Sequence, residues 1–132
     1  MLANDQAAKV LDKNRKVLAA WLFGSQVNGS TRPDSDVDIA LLVSAPLVLD
    51  DYLGLQDQLR VVFDKEIDLS VLNKASAFFR FEALSGVNIY SRDIEIQSGF
   101  VSRSSRDYEE AVVMWNRGLR YRKEAMNSQR SS

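Results

Sequence analysis

The chain has 132 residues, of which 45% are hydrophobic and 27% charged, and its formal net charge is −1. This length fits one domain with its own core, and so small a net charge argues against a general nucleic-acid-binding protein. Cysteine and histidine are both absent, which excludes disulfides and thiolate metal sites, argues against zinc, and leaves carboxylates or water as general bases. No apolar run reaches membrane-spanning length and no signal-peptide core is present, so we expect a cytoplasmic protein without a membrane partner.

The first two predicted elements are a helix and a strand. Leu2 to Asn14 has apolar residues at helical spacing and is expected to cover a sheet. Val17 to Phe23 is a continuous apolar run between charged residues and a glycine, which is typical of a strand buried on both faces. Trp21 within this run is therefore expected to be a core residue.

The stretch from Trp21 to Val43 is the one that the rest of the chain is expected to support. Its apolar run breaks at Gly24-Ser25, continues through a polar segment, and ends in a second run where Asp36 and Asp38 alternate with apolar residues. This order predicts a strand, a tight turn with a short helix, and a second strand. Because successive strand side chains point to opposite faces, the two carboxylates should share one face.

These residue types suit a metal-bound nucleoside triphosphate. Two carboxylates side by side suit Mg²⁺, which completes its shell with water and substrate phosphate oxygens. Gly24 allows close approach of the backbone to a phosphate, Ser25 offers a hydroxyl, and a following helix would direct its N–H groups at the same anion. Asp34, which follows Pro33, is assigned to the turn rather than to the site.

A crossover helix and a third strand are predicted next. The helix is expected from Asp51 to Phe63, with Asp50 as its cap, and its length suits a connection between parallel strands. Glu66 to Leu72 then alternates charged and apolar residues. If this strand lies beside the second one, Asp68 would join the carboxylate pair, and Glu66 is the second choice.

The C-terminal part is predicted to contain a helix, a short strand and a long helix. Ala75 to Leu84 is the helix, with phenylalanines that we assign to the core rather than to base stacking. Val87 to Tyr90 is the strand. From Asp93 onward an apolar stripe recurs at three- and four-residue steps in a basic sequence, which fits either a solvated helix face or a partner-docking face. The stripe consists of Tyr108, Ala111, Val112, Trp115 and Leu119.

Gly24-Ser25, ten intervening residues and Asp36-Val37-Asp38 together resemble the signature of the DNA polymerase beta-like nucleotidyltransferase superfamily. The short chain is similar to its minimal branch, the MntA-type antitoxins that accompany HEPN ribonuclease toxins. The resemblance implies an α/β (α+β) fold: a single nucleotidyltransferase domain over residues 1–132, with a small mixed β-sheet flanked by helices and a helical C-terminus. Residues 93–132 would form a helical extension and a candidate partner-docking surface.

The resemblance also implies a site and its cofactors. Two Mg²⁺ ions and ATP as substrate are expected, and many relatives carry Ala-Arg-Gly where this chain has Val27-Asn28-Gly29, which raises the question of whether Arg32 contacts a phosphate instead. The implied metal-binding and catalytic residues are Asp36, Asp38 and Asp68, and the implied nucleotide-binding residues are Gly24, Ser25 and Arg32.

The implied function is transfer of AMP from ATP to a tyrosine hydroxyl of a partner HEPN toxin, which would silence the toxin within a hetero-oligomer, without direct nucleic-acid binding. One alternative is an antitoxin that neutralises its partner by binding alone. Another is a small-molecule nucleotidyltransferase that acts as a homodimer. ATP turnover without a protein acceptor would favour the last of these.

Overall fold

The computed structural model describes residues 2–24 and 35–130. This part of the chain forms four helices, α1 (Leu2–Asp12), α2 (Leu49–Phe63), α3 (Ala77–Leu84) and α4 (Ile94–Arg130), and four strands, β1 (Val17–Phe23), β2 (Val37–Val43), β3 (Ile67–Val71) and β4 (Val87–Ser91). The predicted helices and strands in these ranges are all present. The predicted turn and short helix after Gly24 lie outside the described residues.

The four strands form one mixed sheet in the order β3-β2-β1-β4. Strand β1 is antiparallel to β2 and β4, whereas β2 is parallel to β3. The predicted parallel pairing is therefore confirmed, and α2 supplies the crossover that it requires. Because of these directions, the end of β1 and the starts of β2 and β3 lie side by side. We call the edge of the sheet formed by these strand ends the carboxylate edge.

Helices cover both faces of the sheet. On one face, α1 and α2 bury Leu11 and Leu59 against Ile39 and Leu41 of β2. On the other face, α3 and the first part of α4 bury Ala83 and Phe100 against a cluster that includes Trp21 and Leu42. Both faces of β1 and β2 are thus buried. The continuous apolar run of β1 predicted this for that strand, and Trp21 is a core residue as expected.

The predicted cap of α2 is wrong. The helix begins at Leu49 after an extended Val48 that makes no side-chain cap hydrogen bond, and Asp50 lies inside the first turn with Asp51. Both acids there still favour the positive end of the helix dipole. Tertiary contacts hold the helix instead of a cap: the Tyr52 hydroxyl donates to the carbonyl of Leu69 of β3 at 2.6 Å.

The assignment of all the α3 phenylalanines to the core is also wrong. Phe79 packs against the sheet cluster, but Phe78 is 46% exposed and Phe81 44% exposed. An eight-residue helix presents only one face to the sheet, so its other face contacts α4. There Phe81 stacks on Tyr108 with ring centroids 3.8 Å apart, and Phe78 meets the edges of Tyr108 and Trp115.

Helix α4 has 37 residues, which corresponds to a length of about 55 Å. Its first part is fixed to the domain, with Phe100 and Ser104 buried. From Val113 to Asn127 every side chain is exposed, and we refer to residues 113–127 as the projecting segment. No helix within the described ranges is long and apolar enough to cross a membrane.

Candidate functional site

Two aspartates face each other on neighbouring strands at the edge where β1 ends. In the parallel pairing of β2 with β3, Asp38 lies opposite Asp68, so the two side chains leave the same face of the sheet. Asp38 is partly buried and Asp68 is exposed. Asp36 is exposed and directly precedes β2. The structure therefore brings together the three carboxylates that the sequence placed in the site.

Burial and neighbouring charges both act on the carboxyl of Asp38. Burial raises the pKa of its carboxyl above the ordinary aspartate value, and the negative charges of Asp68 and Asp36 raise it further, as does a hydrogen bond with Asp68. Asp38 is thus the group at which desolvation and like-charge repulsion combine. A divalent cation beside it would remove this repulsion, which is the electrostatic condition that a cation-binding site needs.

The donor set fits Mg²⁺ in its usual protein environment. Within residues 2–24 and 35–130, no three carboxylate, imidazole or thiolate groups are arranged to hold a metal ion. The site instead presents the pair Asp38 and Asp68, with Asp36 close enough to act on it electrostatically. Mg²⁺ is typically held by one or two carboxylates and keeps waters and substrate phosphate oxygens as its other ligands.

Glu66 is occupied elsewhere. Its carboxylate pairs with Arg60 of α2 at 3.2 Å, and α2 covers the other face of the sheet. This placement favours Asp68 over Glu66 as the third carboxylate of the site. Sequence alternation alone could not separate the two, because residues two apart on a strand share a face.

Gly24 lies close to the side chain of Asp38. It follows β1 with a φ of +79°, in the left-handed region, which L side chains adopt only at a cost. A Cβ at this position would overlap Oδ2 of Asp38 and lie 3.3 Å from its Cγ. The backbone turn that we assigned to phosphate binding thus touches the carboxylate that we assigned to the metal. Ser25 and Arg32, the other predicted nucleotide-binding residues, lie outside the described residues.

A fourth carboxylate, Glu82 of α3, also acts on this group. Its negative charge contributes to the raised pKa of Asp38. Sequence analysis missed it, because its relation to the site depends on how α3 packs against the sheet. The only local signal is its three-residue spacing from Phe79, which packs against the sheet; Glu82 itself is exposed.

A separate cavity of about 440 Å³ lies on the opposite side of the sheet, between α1 and α2. It is lined by mixed charges, including Lys13, Lys16 and Asp51. None of the site carboxylates borders it. We place the candidate site at the carboxylate edge, where the chemistry is, and assign this cavity no role in it.

We expect Asp38→Asn to stabilise the cation-free protein. The raised pKa of Asp38 means that the folded state binds its proton more tightly than the unfolded chain, so stability falls as pH rises through that pKa. At neutral pH, allowing for partial exposure, the gain should be on the order of 1 kcal/mol, or about 2–5 °C in Tm. Thermal unfolding in EDTA at neutral and acid pH checks this, and the difference should shrink in acid. A variant less stable than wild type at neutral pH would contradict it.

We compared the chain with known protein families and with solved structures. The family described as "Polymerase beta, Nucleotidyltransferase" matches residues 5–95, more than half of the chain. No curated protein matches the chain.

Several solved structures share its fold. The chain is similar to a chain of a toxin–antitoxin complex solved with AMP-PNP, at 21% identity and a TM-score of 0.62, with 98% of each chain covered. It is also similar to a chain of the complex of a tri-AMPylated Shewanella oneidensis HEPN toxin with MNT antitoxin, at 20% identity and a TM-score of 0.58, with 99% of this chain and 98% of that chain covered. A toxin–antitoxin MntA–HepT structure gives 20% identity, a TM-score of 0.57, and the same coverage of 99% and 98%.

At this identity the structural likeness establishes a shared fold over the length of the chain, and the family match covers residues 5–95. The match includes Gly24, Asp36, Asp38 and Asp68. The predicted superfamily, the mixed sheet flanked by helices and the helical C-terminus are thereby confirmed. The chain belongs to the polymerase beta nucleotidyltransferase family.

Proposed function

We propose that this chain is a Mg²⁺-dependent nucleotidyltransferase of the antitoxin type, which transfers AMP from ATP to a tyrosine hydroxyl of a partner HEPN toxin in the cytoplasm and thereby neutralises it. The observation that carries the proposal is the pairing of Asp38 with Asp68 across β2 and β3, in contact with Gly24. Carboxylates beside a glycine turn can serve both the metal and the triphosphate of one substrate.

Each residue of the site has a distinct part in the proposed reaction. Asp38 and Asp68 would hold Mg²⁺, with Asp36 adding negative charge beside them, and the ion when bound neutralises charge on the reacting phosphate oxygens. The Gly24 turn, with Ser25 and Arg32, is proposed to hold the β- and γ-phosphates.

The transfer itself is a substitution at phosphorus. The acceptor hydroxyl oxygen bonds to the α-phosphorus, the bond from that phosphorus to the bridging oxygen of the β-phosphate breaks, and pyrophosphate leaves. We assign the hydroxyl proton to Asp68, because it is the exposed member of the pair and can release the proton to water.

We assign partner binding to an aromatic patch on α3 and α4 and to the projecting segment that continues it. The α4 part of this surface belongs to a C-terminal extension, residues 93–132, of one domain. The aromatic patch consists of Phe78, Phe81, Tyr108 and Trp115. It lies on α3 and α4, the helices that cover the face carrying Asp38. A protein docked there would therefore be held on the same side of the sheet as the carboxylates.

The projecting segment has the composition of an interface. Trp115 is 59% exposed and Leu119 46% exposed, and aromatic residues with arginine are the side chains enriched at interface centres. Four basic residues here stand against one acidic one, Glu124; they are Arg117, Arg120, Arg122 and Lys123. The charge favours a partner whose apolar face is rimmed by acidic residues, and it opposes tail-to-tail pairing of two copies.

Complex formation should depend on the exposed side chains of this segment. We expect Trp115→Ser with Leu119→Ser to weaken binding of a co-purified HEPN toxin from the same genome by about 100-fold or more, the loss typical of a buried aromatic anchor. Isothermal titration calorimetry measures the affinity, and the melting temperature should hardly change, because both side chains are exposed in the free chain.

Val61→Ser is the matched control, since Val61 is 82% exposed on α2, away from this surface. It should bind as wild type does. Unchanged affinity of the double variant would remove the docking assignment. If the isolated wild-type chain forms a dimer and the double variant does not, the surface binds a second copy of this chain instead.

One alternative function has an observation in its favour. The exposed apolar stripe of α4 could neutralise a toxin by binding alone, without any transfer. Intact mass spectrometry of the toxin after incubation with this chain, ATP and Mg²⁺ separates the two. Added AMP residues support transfer, whereas a neutralised toxin of unchanged mass would replace the enzymatic proposal with the binding one.

A further inference from the structure

The side of α4 that faces away from the domain is exposed and unused by the proposed function. Helix α4 packs on the domain through Phe100 and Ser104, which are buried, and through Tyr108, which stacks on Phe81. These three α4 residues are four apart, so they lie on one side of the helix. We call the opposite side the outer face, and it carries the exposed residues Arg103, Glu110, Arg117 and Glu124.

The four charges of the outer face alternate in sign at seven-residue intervals. Seven residues are close to two helical turns, so the four side chains form one line along the helix. Among the ion pairs of residues 2–24 and 35–130, none includes a member of this line. The outer face thus presents a positive, a negative, a positive and a negative group in order, each open to a partner.

The centre of the outer face is apolar. Val113 is 49% exposed and Met114 70% exposed, and both line a shallow groove together with Glu110 and Arg117. The Val113-Met114 pair lies midway between these two charged residues in the chain, and it also lies midway between the outer two charges of the line. The charges are therefore arranged symmetrically in position, and with opposite signs, about an apolar centre.

Such a pattern is complementary to itself when it is reversed. Two copies of α4 that run antiparallel about a two-fold axis at the apolar centre would place Glu110 of one copy opposite Arg117 of the other. Arg103 would lie opposite Glu124 in the same way, and the symmetry makes each ion pair occur twice. A parallel pair would instead place every charge opposite an identical one, which is repulsive. The charge pattern therefore favours the antiparallel arrangement.

The antiparallel arrangement also keeps the basic tails of the two helices apart. Each tail, with Arg120, Arg122 and Lys123, would run along the first half of the other helix and not along the other tail. The first half contains Glu109 and Glu110 in addition to its arginines. The repulsion that opposes tail-to-tail pairing is thus avoided.

We propose that the outer face of α4 binds a second copy of this chain, as an antiparallel helix pair centred on Val113 and Met114. The aromatic patch lies on the other side of α4, so the two copies would present their patches outward, each open to a partner protein. The pairing needs neither nucleotide nor cation. It therefore stands or falls independently of the proposed function.

The test is sedimentation equilibrium of the full chain alone, at low and at high salt. Because exposed ion pairs are individually weak, we expect a dissociation constant of roughly 0.1 mM at low salt and weaker association at high salt. Glu110→Arg and Arg117→Glu each convert two attractive pairs of the dimer into repulsive ones, so each should raise the dissociation constant about tenfold or more.

Combining the two single variants gives the sharpest result. The double variant Glu110→Arg/Arg117→Glu exchanges the charges and should dimerise as wild type does. An equimolar mixture of the two single variants should also form a dimer, because the charges of one then complement those of the other. Loss of helix stability cannot produce either rescue, and circular dichroism should show unchanged helix content in every variant, since both side chains are exposed.

Arg122→Glu is the matched control, since it makes the charge change of Arg117→Glu on the side of α4 that carries Trp115, seven residues earlier. It should dimerise as wild type does, and so should Trp115→Ser with Leu119→Ser. A wild-type chain that stays monomeric at 1 mM, about ten times the expected dissociation constant, would overturn the inference. A dimer that the single charge reversals leave intact, or that the double reversal fails to restore, would overturn it as well.

Discussion

Replacing Asp36 and Asp38 together with asparagine should abolish AMP transfer, with a loss of at least about 10³-fold in rate, while the chain stays folded and still binds its partner. Asparagine keeps the size of each side chain but removes the charges that would hold the cation against the triphosphate. Asp36 and Asp38 lie at the start of β2, whereas the proposed docking surface lies on α3 and α4. This variant should therefore lose AMP transfer and keep partner binding.

The measurement is the intact mass of the partner toxin after incubation with ATP, Mg²⁺ and each variant. Wild type should add mass in steps of one AMP residue, and the double variant should add none. Glu66→Gln is the matched control, because Glu66 pairs with Arg60 on the far face of the sheet. It should transfer AMP as wild type does. Transfer by the double variant at the wild-type rate would exclude the carboxylate pair as the active site.

Changing Gly24 to alanine should have the second largest effect, a loss of transfer of about 100-fold or more together with about 1–3 kcal/mol of stability. Two independent costs combine at this position. The φ of +79° disfavours any side chain, and the new Cβ would overlap Oδ2 of Asp38. Either the turn or the carboxylate must move, and both belong to the site.

Gly54→Ala separates a general effect of removing glycine from this local one. Gly54 lies inside α2, and nothing lies within 4 Å of a Cβ built there. Alanine at this position should stabilise the protein by about 0.5–1 kcal/mol. Urea unfolding measures both variants, and the cost of Gly24→Ala should be smaller in an Asp38→Ala background, where the overlap is relieved. A Gly24→Ala protein with wild-type stability and transfer would refute the close contact.

Several features of this site cost stability in the free chain. Asp38 is partly buried among like charges, and the side chains of the projecting segment leave apolar surface in water. Binding partners offset such costs: a cation relieves the repulsion, and a docked protein covers the apolar stripe. Both destabilising features thus lie where we propose that the protein binds a cation and a partner, as is common at functional sites.

The sequence by itself determined the helices and strands of the described residues, and it placed Gly24, Asp36 and Asp38 in one stretch. Strand alternation placed Asp36 and Asp38 on one face, and a glycine between an apolar run and a polar segment located the turn. These signals are local, because they depend on backbone periodicity and on the conformations open to glycine. The length of α2 also suited a parallel connection between β2 and β3, and the structure shows that pairing.

Only the tertiary structure decided which side chains meet. Asp68 lies opposite Asp38, whereas Glu66 pairs with a helix on the far face, and both residues fit the same alternating pattern. Phe78 is half-exposed because α3 presents a single face to the sheet. Glu82 acts on Asp38 because α3 lies over the end of β1. Such contacts join residues far apart in the chain, and periodicity within one element carries no information about the element that it will face.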